Sequence, residues 1–299
     1  MSAPSSGGAS RDGYGAALLE LANDSRVVVL EADLGKSTKS CLFRAEYPER
    51  TVSLGIAEQN MVSVAAGLAS CGKVPFASTF AIFSERAFEQ VRNGVARPGL
   101  VAHLCGSHGG IHTGTDGSSA QSIEDLAIYR TIPGMTVMHP CDDLSAKELT
   151  IQLLNHKSPS YPRTARNKTP RMYDEDTIKE LKIGKASILR EGADIAIIAC
   201  GVMVHKAVTA AINLSKEGIH AYVVDMHTIK PLDTELINKL ASTCKAIVTV
   251  EDHSIIGGLG SSISEYLSTT NPTKITMIGV EDRFGESGGS EELLELVGL

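Results

Sequence analysis

ThrValSerLeuGly (51–55) runs directly into IleAlaGluGlnAsnMetValSerValAlaAlaGlyLeuAla (56–69). The first piece reads as a short strand. The second reads as a helix rich in small residues and suited to close packing. A strand feeding a helix is the building unit of a parallel sheet covered by helices. The same alternation continues on both sides. TyrGlyAlaAlaLeuLeuGluLeuAla (14–22) spaces its apolar residues helically. ValValValLeuGluAlaAsp (27–33) is a β-branched run ending in an acid, the pattern of a buried parallel strand. ValProPheAlaSer (74–78), LeuValAlaHisLeuCys (100–105) and MetThrValMetHisPro (135–140) predict further strands.

The composition then changes. Residues 156–185 open with HisLysSerProSerTyrProArgThrAlaArgAsnLysThrProArg, a basic stretch with three prolines, which predicts a linker. A second alternating set follows. Strands are predicted at 194–200, 220–226, 246–251 and 274–278, and helices near 203–217, 233–240 and 259–268. No short-period repeat or heptad array interrupts it. The fold class is therefore α/β, with two doubly wound domains whose sheets are mainly parallel. The expected boundaries are a loose tail over 1–10, a first domain over 11–157, a linker over 158–185 and a second domain over 186–299.

Composition agrees. At about 100–200 residues per domain, 299 residues make two domains. With 42% apolar and 21% charged residues, the chain can bury full cores. A net charge of −7 argues against a broad basic face for nucleic acid. No apolar run reaches the ~18 residues of a membrane span. MetSerAlaProSerSerGlyGlyAlaSer has neither a basic nor an apolar region, so it reads as a tail and not as a signal peptide. The six cysteines, at 41, 71, 105, 141, 200 and 244, form no CxxC. They read mostly as buried, reduced thiols of a cytoplasmic protein.

Ligands of doubly wound folds sit at the C-terminal ends of the strands. Glu58 falls there, in the first turn of its helix. An acid at that place complements the helix dipole for ~0.3–1 kcal/mol. In a packed, buried turn it instead needs a partner or a raised pKa. Phe80 and Phe83, spaced i and i+3 after a strand, either fill the core or wall a pocket for a flat ring. CysGlySerHisGlyGlyIleHisThrGlyThrAspGlySerSer (105–119) is a glycine-rich loop holding His108, His112 and Asp116. It reads as a polar loop for substrate hydroxyls; a metal reading is weaker, because the glycines keep a helix from presenting the ligands together. Arg163 and Arg166 form either an anion-binding fork or a solvated linker. GluAspHisSerIleIleGlyGlyLeuGlySer (251–261) resembles a loop-to-helix anion site, or a close helix contact.

Taken together, GlyIleAlaGluGlnAsnMet (55–61), SerThrPheAlaIlePhe (78–83), GlySerHisGlyGlyIle…GlyThrAspGly (106–117), GluAspLeuAla…Arg (124–130) and LeuAspxGlu…ValGluAspHis (232–253) resemble transketolases. Their order and spacing agree from about Arg11 to Leu299, matching the pyrimidine-binding and C-terminal domains of that family. The resemblance implies that Glu58 is the catalytic glutamate, bonded to the pyrimidine N1′ of thiamine diphosphate. It implies that Phe80 and Phe83 pack on the pyrimidine. Arg86 stands where relatives often carry a third aromatic. His108 and Asp116 match residues contacting donor hydroxyls and the distal phosphate, and Arg11, Ser37 and Arg166 match the phosphate-binding set. Ala120, followed by Gln121, stands where some relatives carry His.

The family binds the diphosphate and Mg²⁺ through Gly-Asp-Gly and a later Asn. The AspGly pairs here, 12–13 and 116–117, open no such motif. The expectation is a C-terminal subunit with no metal ligands of its own, paired with a separate N-terminal-half chain in an α2β2 assembly. It would move a two-carbon ketol unit from a ketose phosphate, or a related anionic ketose, to an aldose phosphate. The alternatives are a deoxyxylulose-phosphate synthase or ketoacid dehydrogenase β-type half, and a non-catalytic regulatory paralogue.

Overall fold

A computed structural model describes residues 7–299. The chain begins with α1 (Ser10–Leu21), β1 (Val27–Glu31), α2 (Gly35–Thr38), α3 (Cys41–Glu46), β2 (Thr51–Ser53), α4 (Glu58–Ser70) and β3 (Val74–Phe80). It continues with α5 (Ala81–Ser84), β4 (His103–Ser107), α6 (Asp125–Arg130), β5 (Thr136–Met138), α7 (Asp143–Gln152) and β6 (Ser160–Thr164). The second half holds β7 (Ser187–Arg190), β8 (Ile195–Ala199), α8 (Val204–Lys216), β9 (Ala221–Asp225), β10 (Thr228–Lys230) and α9 (Thr234–Thr243). It ends with β11 (Ile247–Ser254), α10 (Leu259–Thr270), β12 (Ile275–Val280) and α11 (Ser290–Leu296).

The first sheet has the order β10-β5-β6-β4-β3-β1-β2, and the second β12-β11-β8-β9-β7. All pairs are parallel except β10 on β5 and β7 on β9. β10 belongs to the second half of the chain yet closes the edge of the first sheet, which ties the two halves together. The mainly parallel, two-sheet α/β reading therefore holds.

β1 shows how the sheet positions α4. Successive strand residues point to opposite faces. Val27 and Val29 pack with Tyr14, Leu18 and Phe43, while Val28 and Leu30 pack with Met61, Val62 and Ala65 of α4. Both faces are covered, so the strand is apolar from Val27 to Leu30 and only its last residue, Glu31, is polar. Between β2 and α4, Gly55 takes φ +69°, a left-handed turn that glycine adopts without a Cβ penalty.

The linker reading is corrected. Residues 160–164 form β6, paired with β4 on one side and β5 on the other. Pro162 and Arg163 hide this strand from an apolar-pattern reading, and all five residues are buried. The rest of the segment lies against the protein: Tyr173 is buried, and Asp142 accepts hydrogen bonds from the Met172 and Tyr173 amides at 2.7 and 3.3 Å. The tail reading is also corrected at its end. Ala9 and Ser10 are buried, Ala9 bridges Lys168, and Ser10 Oγ accepts from the Ala165 amide at 2.7 Å. Residues 1–6 lie outside the described residues. Four cysteines are buried, Cys41 is half-buried and Cys71 is exposed, and all six are free. Among the described residues, no helix is long and apolar enough to cross a membrane.

Candidate active site

The C-terminal ends of β1, β3 and β4 meet beside the first turn of α4. Glu31 pairs with Ser78, and Phe80 with Ser107, so the loops leaving these strands start side by side. Glu58 is the first residue of α4 and is 3% exposed. Its side-chain ion pair is with Arg86, Nη1 to Oε2 at 3.5 Å, and the Arg86 side chain is 56% exposed. The Gln59 amide holds the Arg86 carbonyl at 3.1 Å.

Phe80 closes β3 and Phe83 lies in α5, so their i, i+3 spacing does not fall within one helix. Their rings still stack, with centroids 5.5 Å apart and planes 13° from parallel. Arg86 Cζ sits 5.0 Å from the Phe83 ring centre, and the His108 ring stacks on Phe80 at 3.9 Å. Arg86, Phe83, Phe80 and His108 thus form one ladder of planar groups. It leads from the partner of Glu58 into the glycine-rich loop.

His108 takes φ +60° and is buried. Burial, reinforced by Arg11 and Arg166, lowers its pKa to about 3, so the ring is neutral near pH 7. Arg11 Nη1 lies 3.3 Å from its Nε2, and Ser107 Oγ 2.9 Å from its Nδ1. A guanidinium only donates, so Nε2 accepts and Nδ1 carries the proton toward Ser107. Arg11 also donates to the Ser37 carbonyl at 3.1 Å; Ser37 enters this contact through its backbone. Arg166 donates to Thr115 Oγ1 at 2.8 Å and to the Thr113 carbonyl at 3.3 Å, and pairs with Asp116 at 3.4 Å. Burial first, and Arg166 among the nearby charges, lowers the Arg11 pKa. Among the described residues its buried Nε has no hydrogen-bond partner. An anion is the natural complement to two such guanidinium groups.

The sequence-predicted residues therefore gather in two adjoining groups. Glu58, Phe80, Phe83 and Arg86 form one; Arg11, Ser37, His108, Asp116 and Arg166 form the other. The anion-binding reading of Arg163 is overturned. Its side chain is fully buried in β6, 3.2 Å from Asp125 and 3.0 Å from Asp252. It also donates to the Ser122 carbonyl at 3.2 Å. The loop at 251–261 is an anion site already filled by its own chain: Glu251 accepts from the Leu259 and Gly260 amides at 2.7 and 2.9 Å, at the start of α10. Burial raises that carboxyl to about 7. His112 faces Glu291, at 4.0 Å, and does not join His108. Among the described residues, no three His, Cys, Asp or Glu side chains gather as a metal site.

Two groups escaped sequence reasoning. Glu85 accepts from Ser122 Oγ at 2.5 Å, and burial raises its pKa to about 8. Beneath the site, buried Glu31 takes a hydrogen bond from Ser40 at 3.0 Å and an ion pair from Arg44. The acid at the end of the β1 run was the one available signal.

Residues 7–172 match the family described as transketolase, pyrimidine binding domain, and residues 184–299 match transketolase, C-terminal domain. The first match runs past β6. A transketolase C-terminal section of Methanocaldococcus jannaschii is 44% identical over 97% of this chain and 92% of its own length. The 6-deoxy-6-sulfo-D-fructose transketolase subunit SqwH of Clostridium sp. (strain MSTE9) is 43% identical over 97% of this chain and 90% of its own. A solved structure described as a split gene transketolase, an inactive β4 tetramer, superposes with a TM-score of 0.90 at 44% identity. It covers 97% of this chain and 94% of that one.

Proposed function

This chain belongs to the transketolase family, as its pyrimidine-binding and C-terminal domains, and from that premise we propose that Glu58 and the residues around it form half of a split, thiamine-diphosphate-dependent active site. The carrying observation is the Glu58 carboxylate: buried and, among the described residues, ion-paired only to Arg86, an exposed arginine that lies over the stacked phenylalanine pair. Two relatives matched over nine-tenths of their own length, one named a C-terminal section and one a subunit, support the split.

The donor set fits the aminopyrimidine end of the cofactor. Phe80 and Phe83 would hold the ring, Glu58 would bond its nitrogen, and Arg86 would stand at the third wall. Bound thiamine diphosphate supplies the electron sink for two-carbon ketol transfer. Burial lets Glu58 share a proton with a ring nitrogen without competition from water. His108, neutral, would meet donor hydroxyls together with Asp116. Arg11 and Arg166, with the Ser37 backbone, would hold the terminal anion. The diphosphate and Mg²⁺ are assigned to a partner subunit carrying the N-terminal half, in an α2β2 assembly in the cytoplasm. The substrates are a ketose donor and an aldose phosphate acceptor. Because one relative is named for a sulfonated fructose, the donor panel must include sulfonates.

The test is reconstitution with an N-terminal-half partner, thiamine diphosphate and Mg²⁺, against phosphorylated and sulfonated ketoses. Ketol transfer is expected from the pair alone. Turnover by this chain without a partner would refute the split. Pyruvate decarboxylation by the pair would move the assignment to another thiamine enzyme.

A further inference from the structure

The loop carrying His108 and Asp116 is held from the second domain as well as the first. Asn167 Nδ2 donates to the His112 carbonyl at 2.7 Å and to Ser290 Oγ at 2.6 Å. Gln121 Nε2 donates to the Gly114 carbonyl at 2.9 Å and to the Glu286 carbonyl at 2.8 Å. Two carbonyls of one loop are thus each tied by a side-chain amide that also reaches the C-terminal segment. Gly114 makes the contact close. It takes φ +76°, and a Cβ there would meet Ser290 Oγ at 2.7 Å. Glu291 continues the contact, facing His112 at 4.0 Å while ion-paired to Lys206 of α8.

We propose that Asn167 and Gln121 are positioning residues, through which α11 and the segment before it fix the 109–117 loop for sugar binding. This gives the C-terminal domain a part in the substrate site. The proposal rests on the reading of that loop as the substrate loop. An amide suits the task because its NH₂ donates twice, one proton for each domain. A carboxylate of the same shape has no proton to donate.

Asn167→Asp and Gln121→Glu test this, in the chain reconstituted with its partner. Gln121 is the more buried, so Asn167→Asp serves should the other variant fail to fold. Gln121→Glu loses two hydrogen bonds to carbonyls. Asn167→Asp loses the one to the His112 carbonyl, since the Ser290 hydroxyl can turn to donate to the carboxylate. At about 0.5–1.5 kcal/mol per bond, amide exchange across 110–117 should be about 10-fold faster or more in Gln121→Glu and several-fold faster in Asn167→Asp, with exchange in α4 unchanged. The same losses predict a KM for the anionic sugar raised about 10-fold, with kcat and thiamine diphosphate affinity held within about twofold. Ser290→Thr, which keeps the hydroxyl, should behave as wild type, and Ser290→Ala should follow Asn167→Asp in part. Unchanged loop exchange overturns the proposal. So does faster exchange with an unchanged KM, or an equal loss of cofactor affinity. A wild-type pair inactive on every anionic ketose overturns the functional reading instead, and the exchange comparison still decides whether the amides hold the loop.

Discussion

Glu58 and Arg163 are both buried charges, and they keep very different company. Among the described residues Glu58 meets one cation, at 3.5 Å, and the side chain of that cation is 56% exposed. Arg163 meets Asp125 and Asp252 at 3.2 and 3.0 Å, and all three side chains are fully buried. The Ser122 carbonyl and His139 add to its shell. Removing an ion from water costs several kcal/mol, so a buried charge persists only where partners repay that cost. At the junction the repayment comes from carboxylates of the chain that are themselves fully buried, and the charges fasten the second domain to the first. At Glu58 it is incomplete, because an exposed pair is worth about 0–1 kcal/mol. The difference separates a charge that serves the fold from one left available to something that arrives. It also explains why two arginines three residues apart, Arg163 and Arg166, have unrelated surroundings.

The largest expected effect tests the open side. Under the proposed function, Glu58→Gln keeps the shape of the side chain and removes its ionisable carboxyl group. Turnover of the reconstituted enzyme should fall about 10²–10⁴-fold, the usual worth of an acid–base group. Assembly should be intact and stability within about 1 kcal/mol. If Glu58 only complements the helix dipole, stability shifts by ~0.3–1 kcal/mol and steady-state rates stay put.

The closed side should fail in the opposite way. Arg163→Met leaves Asp125 and Asp252 buried without their cation. Urea unfolding should show a loss of about 3–5 kcal/mol, the cost of breaking a buried pair. Adding Asp125→Asn and Asp252→Asn to Arg163→Met should recover part of it. A loss below about 1 kcal/mol would erase the distinction between the two sites.

The sequence was most legible where local pattern and burial coincide. β1, β8 and β9 are covered on both faces, so their β-branched runs announced them. β6 could not announce itself. SerTyrProArgThr is polar and proline-bearing, and it is buried because Arg163 finds Asp252, 89 residues away. No local pattern records such a partner. The loop-to-helix motif at 251–261 was visible as an anion site, but not that Glu251 fills it. Local pattern singles out Glu58, Phe80, Phe83, His108, Asp116 and Arg166, whereas Arg11, Ser37 and Arg86 enter only through the family resemblance; folding brings them all into two adjoining groups. The Phe80–His108 stack that joins the groups is a product of the parallel pairing of β3 with β4, which spacing along the chain does not reveal.

Asp225 supplies a third case, a buried acid with no cation partner among the described residues, and the smallest expected effect. It is fully buried at the end of β9 and accepts a hydrogen bond from Tyr173 at 2.7 Å. Burial raises its pKa from 3.8 to about 7. Between those values the native state holds a proton that the unfolded chain has released. Its contribution to stability is therefore full below about pH 4 and is lost as pH rises toward 7, with a slope of at most about 1.4 kcal/mol per pH unit. Asp225→Asn removes this titration and still accepts from Tyr173. Stability measured by urea unfolding at pH 4.5, 6 and 7.5 should show the variant gaining on the wild type at each step. The buried histidines His103 and His139 have lowered pKa values and act with the opposite sign, losing stability as pH falls below 6.5. They are common to both proteins and cancel in the difference. Parallel profiles would mean that Asp225 keeps its charge while buried, and that a carboxylate in this fold needs no cation to stay ionised.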